Sequence, residues 1–156
     1  MLERLLREVS PNRLAVTEDW RWRVEKALSK LGVTDVSPLI EEAIERYEEL
    51  TYPERKTVGY LLTIKAEEQT KLFGEFNVGD LCKDIDYAFV EARAVKVRGV
   101  KARHFCGFKA RDSEFRFEEV GYGFLSHSVN CVGIVRRTGL NAGFKAVNCR
   151  LIILTS

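Results

Sequence analysis

Gly107-Phe108-Lys109-Ala110-Arg111 and Gly143-Phe144-Lys145-Ala146-Val147 are near-copies of one another, and Ala88-Phe89-Val90-Glu91-Ala92 and Gly123-Phe124-Leu125-Ser126-His127 resemble them. Six to eight residues after its Phe, each is followed by a second alternating segment: Val95-Lys96-Val97, Phe115-Arg116-Phe117, Val132-Gly133-Ile134 and Leu151-Ile152-Ile153. The anchor Phe residues stand 19, 16 and 20 positions apart. Self-similarity at such a period marks a repeat architecture. A unit this short has no room for a helical crossover between parallel strands.

One coil of a solenoid does fit the unit, because each coil stacks on the last and equivalent side chains form ladders. Phe89, Phe108, Phe124 and Phe144 are expected to form one interior ladder, and Val95, Phe115, Val132 and Leu151 a second. Ser113, Asn130 and Asn148 fall where the chain should turn, and short polar side chains that bond their own backbone suit such a corner. With its GF-x-x-x-S/N-x-apolar-x-apolar rhythm, the tail from 85 to 156 resembles the parallel β-helix (β-solenoid) repeat proteins. The alternative is an antiparallel meander with hairpin turns at Gly121, Gly123, Gly139 and Gly143, which also alternates at period two.

Upstream of Gly74 the period is helical. Leu2, Leu5, Leu6 and Val9 make one stripe, closed by Ser10-Pro11. A second helix is expected from a Thr17 cap, with Trp20, Val24, Ala27, Leu28 and Leu31 on its apolar face and Gly32 as its stop. Ser37 as cap and Pro38 as first residue open a third, lined by Ile40, Ala43, Ile44 and Tyr47. A fourth runs from Pro53 to Gly74. Trp20 matches the apolar stripe of its helix, so Trp22, two positions on, faces elsewhere and is a candidate contact. The expected fold is α+β: a helical bundle over 1–76 capping a short parallel β-solenoid over 77–156, the two forming one cooperative unit.

The 156 residues are 46% hydrophobic and 31% charged, a globular composition. High charge with a single Gln and a single Met is a thermophile-like balance. The opening Met1-Leu2-Glu3-Arg4-Leu5-Leu6-Arg7-Glu8 has no signal-peptide apolar core, and no run reaches the roughly 20 apolar residues of a membrane span. A cytoplasmic location is the expectation, with Cys82, Cys106, Cys131 and Cys149 as reduced thiols. No C-x-x-C pair occurs.

Charge is uneven. Residues 1–76 carry 12 basic and 15 acidic side chains, residues 77–156 carry 13 and 8. From 93 to 111 the chain holds Arg93, Lys96, Arg98, Lys101, Arg103, Lys109 and Arg111 and no acid. Such a row on a rigid sheet suits a phosphate backbone, making nucleic acid or another polyanion a candidate partner. It equally suits a solvated face countered by Glu114, Glu118 and Glu119 on the next coil.

His104 with Cys106 and His127 with Cys131 have ligand chemistry but no shared position in the repeat, so neither a metal nor a cofactor is expected. No catalytic residue can be assigned. The β-helix resemblance implies polysaccharide chemistry, for which Asp112 with Glu114 and Asp84 with Asp86 are the close carboxylate pairs, but the connections are too short for a catalytic groove. A solenoid needs its ends covered. The helical half serves the first coil, whereas Leu151, Ile152, Ile153 and Leu154 leave the last one open. The leading expectation is a non-catalytic scaffold or interaction module that forms a homodimer through this C-terminal strand.

Overall fold

The computed structural model describes residues 1–11 and 19–155. Four helices come first. Helix α1 (Leu2–Val9) buries Leu2, Leu5, Leu6 and Val9, and the chain leaves it at Ser10. Helix α2 (Trp20–Lys30) buries Trp20, Val24, Ala27 and Leu28; the Thr17 expected as its cap lies outside the described residues. Gly32, with φ of 71°, supplies the left-handed stop. Helix α3 spans Ser37–Glu45 and includes Pro38 in its first turn. Ser37 is not its cap: Val36 holds that position, and Asp35 takes over by accepting the Ser37 N–H through Oδ1 at 3.0 Å.

Helix α4 (Tyr52–Phe73) starts from a reciprocal cap. The Thr51 N–H donates to Glu54 Oε1 at 2.8 Å, and the Glu54 N–H donates to Thr51 Oγ1 at 3.4 Å. The helix ends at Gly74, whose φ is 85°.

Five strands follow: β1 (Phe76–Gly79), β2 (Lys96–Ala102), β3 (Glu114–Val120), β4 (Val132–Thr138) and β5 (Arg150–Ile153). They form one sheet in sequence order, every pair parallel, which excludes the meander. Lys96 aligns with Glu114, Glu114 with Val132 and Val132 with Arg150, so the structural period is 18 residues. Opposite the sheet, each coil returns through two consecutive reverse turns, for example Phe108 N–H to Phe105 O and Ala110 N–H to Gly107 O. A left-handed third residue identifies the type II form. Gly107 and Gly143 meet that demand cheaply, while Phe89, Glu91, Lys109, Leu125, His127 and Lys145 adopt the same conformation with side chains. The second corner turns on left-handed Ala94, Asp112, Asn130 and Asn148.

This register corrects the expected ladders. Phe89 aligns with Gly107, Leu125 and Gly143, whereas Phe124 aligns with Ala88, Cys106 and Ala142; only Phe108 and Phe144 share a row. Likewise Phe115 stacks with Val97, Gly133 and Leu151, not with Val95 or Val132. The interior is filled by large-on-small packing between coils rather than by like on like. A Cβ on Gly133 would sit 2.6 Å from the Phe124 ring, and one on Gly107 would sit 2.7 Å from Leu125. The corner residue is likewise Asp112 rather than Ser113. Ser113 Oγ instead accepts the Val95 N–H at 3.1 Å and donates to Arg111 O at 2.7 Å.

Helix α4 seals the first coil. Gly59 lets the helix backbone approach so closely that a Cβ there would lie 2.3 Å from Tyr87 O. Beyond that contact, α4 side chains bond backbone groups that the first coil turns outward. Thr63 donates to Val90 O at 2.7 Å, Glu67 accepts the Arg93 N–H at 3.0 Å, and Thr70 accepts the Lys96 N–H at 3.1 Å. The buried apolar residues of helices and coils form one continuous core. No helix among the described residues is long and apolar enough to cross a membrane.

Candidate functional site

The two ends of the solenoid differ. At Phe115 and Phe117, in the middle coil, interior side chains are 0% and 2% exposed; their equivalents in β5, Leu151 and Ile153, are 37% and 53% exposed. Ile152, on the outer side of β5, is half-buried and Leu154 follows it. The backbone edge is open as well. In earlier coils the left-handed residues donate forward, as in Tyr87 N–H to His104 O and Glu91 N–H to Phe108 O. Asn141, Lys145 and Asn148, their equivalents in the last coil, have no backbone acceptor among the described residues.

The outer surface changes along the same direction. Positions that carry Arg93 and Arg111 in the first two coils carry Val129 and Val147 in the next two, and Arg98 and Arg116 give way to Ile134 and Ile152. Val147 is 59% and Leu140 77% exposed, so apolar surface collects at the open end on the outside as well as in the cut interior.

The seven cations of the 93–111 segment divide between two sides of the solenoid. Lys96, Arg98 and Lys101 lie on β2, where Lys96 approaches Glu114 at 4.0 Å, Arg98 aligns with Arg116 and Lys101 with Glu119. Glu118 and Glu119 pair instead with Arg136 and Arg137 of the following coil, at 2.7 and 3.4 Å. Arg103 forks onto Asp86 at 2.9 and 3.0 Å. Burial alone would raise the Asp86 carboxyl; the Arg103 fork and the His104 N–H outweigh it and hold Asp86 below the ordinary carboxylate range. Arg93, Lys109 and Arg111 face the turn side. With Glu91, Asp112 and His127 they line an open groove of about 720 Å³.

The histidines and cysteines are dispersed. His104 Nδ1 accepts the Tyr122 N–H at 3.0 Å, and Cys131 Sγ donates to Val129 O at 3.4 Å. Burial pushes the Cys82 thiol up to about 12. No group of three or more His, Cys, Asp or Glu suited to a metal occurs among the described residues. The carboxylate pairs turn to separate partners: Asp112 to Asn130, Glu114 to Lys96 and Asp86 to Arg103. Trp20 is buried, with its N–H on Thr57 at 3.1 Å, while Trp22 is 55% exposed beneath Lys26.

Two features escaped the sequence reading, the turn-side groove and the corner ladder in which Asn148 donates to Asn130 and Asn130 to Asp112. Both become visible once the chain is written in rows of 18. No protein-family model, curated protein or solved structure matches this sequence.

Proposed function

We propose that the chain is a non-catalytic assembly module whose C-terminal coil is its interface, taking a second copy of the same coil about a two-fold axis. The observation that carries this reading is the contrast between the ends: α4 and β1 cover the first coil, while the last presents Leu151 and Ile153 at 37% and 53% exposure beside unbonded amides. Head-to-tail stacking is blocked by α4, which leaves the end-to-end arrangement. Amide donors and carbonyl acceptors alternate along the open edge, so it is complementary to itself. An antiparallel β5 pair centred on Ile152 sets Leu151 of one copy opposite Ile153 of the other and keeps the two Arg150 cations apart. The change from Arg98 and Arg116 to Ile134 and Ile152 removes like-charge repulsion where the copies would meet.

Sedimentation equilibrium on the full chain tests this. The expected result is a reversible dimer at micromolar concentration, with Ile152→Lys monomeric and unchanged in circular dichroism. Hydrogen exchange should protect the amides of Asn141, Lys145 and Asn148 in the dimer and not in the variant. A monomer across the concentration range, or a dimer indifferent to Ile152→Lys, would overturn the proposal.

A further inference from the structure

Arg93 and Arg111 occupy paired positions on adjacent coils, one strand spacing of about 4.8 Å apart. Two like charges directly opposite one another destabilise a sheet unless a counter-charge lies between them. No carboxylate forms an ion pair with either arginine among the described residues, nor with Lys109, which stands on the same groove. The two carboxylates that line the groove are engaged elsewhere. Glu91 accepts from the Tyr60 hydroxyl, and Asp112 accepts from Asn130 Nδ2 at 3.2 Å. Glu67, which holds the Arg93 N–H, is the ion-pair partner of Arg21. His127 completes the lining; its Nδ1 is buried without a hydrogen-bond partner among the described residues, and its ring packs between Phe108 and Phe144 at 5.2 and 5.9 Å.

The other arginine pair, Arg98 with Arg116, shares its surface with Glu75 and Glu114 and so has acids at hand. The turn-side groove therefore holds the uncompensated positive charge. That charge is also local. The row continues as Val129 and Val147, so no cationic track runs on along the axis for a long polymer to follow.

We infer that this groove binds a single phosphate group carried by a small phosphorylated molecule, with Arg93 and Arg111 forking its oxygens and Lys109 neutralising the remaining charge. Planar guanidinium forks match a tetrahedral oxyanion in geometry as well as charge. The aromatic column of Phe108, His127 and Phe144 beside the groove offers a surface for the organic part of the ligand.

Inorganic phosphate titrated into the full chain, followed by amide chemical shifts, is the test. The expected result is a saturable change confined to Arg93, Lys109, Arg111 and His127. Arg111→Gln should weaken it about tenfold, and Arg98→Gln should leave it unchanged. Lys109→Gln serves the same purpose if Arg111→Gln does not fold. Absence of saturation, or equal weakening by Arg98→Gln, would overturn the site by reducing it to net charge. A nucleoside monophosphate should bind at least as tightly as phosphate alone. Oligonucleotide affinity that climbs with each added nucleotide would replace the single-phosphate reading by a nucleic-acid track and so overturn it.

Discussion

At Asn130 a single side chain does two things. Its backbone is left-handed at φ of 55°, and its amide links Asp112 to Asn148 across three coils. Asn tolerates that conformation because its short polar side chain bonds locally, whereas Ala there is strained. Asn130→Ala should therefore cost about 1–2 kcal/mol in urea unfolding, and Asn130→Gly, which keeps the backbone and loses only the ladder, should cost less. Gly59 is limited by space instead: a methyl 2.3 Å from Tyr87 O must push α4 off the coil. Gly59→Ala should destabilise by about 1–3 kcal/mol despite the better helix propensity of Ala. Asp86 governs an acid response. Its folded pKa is depressed, so its contribution is present above the unfolded value near 3.9 and is lost as pH falls through the folded value. Stability should drop on acidification below about pH 4, and Asp86→Asn should flatten that limb of the urea midpoint against pH.

Among the elements, α4 joins the two halves, and its start is set by the Thr51–Glu54 box. Thr51→Ala should cost about 1 kcal/mol, read from the urea midpoint. The four helices, their glycine stops and the strand segments were legible beforehand, because helical stripes and period-two alternation survive in any local window. Register was not. Anchor residues at 89, 108, 124 and 144 suggest an irregular repeat, but the coils are strictly 18 residues apart and the aromatic moves between neighbouring rows. Successive residues such as Ala88, Phe89 and Val90 all point inward through the double turn, so a bulky side chain can enter from any of three adjacent positions. Steric complementarity with Gly107 and Gly133 decides which. The groove escaped notice for the same reason, since Arg93, Lys109 and Arg111 separate from Lys96 and Arg98 only when each coil is folded back at its corners.

For the whole molecule, one continuous core from Leu2 to Val135 implies one unfolding event. Fluorescence of Trp20 and Trp22 in α2 and far-ultraviolet dichroism should give coincident urea transitions; separate midpoints would mean that helices and coils melt independently. The 18-residue register has a further consequence for how such a chain can vary. Every coil offers the next the same corner and the same backbone edge, and α4 grips the first coil largely through main-chain atoms. Length is thus quantised. A deletion or duplication of 18 residues shortens or extends the rod by one step and leaves every remaining hydrogen-bond partner in place, whereas a gain or loss of any other size shifts all downstream rows at once.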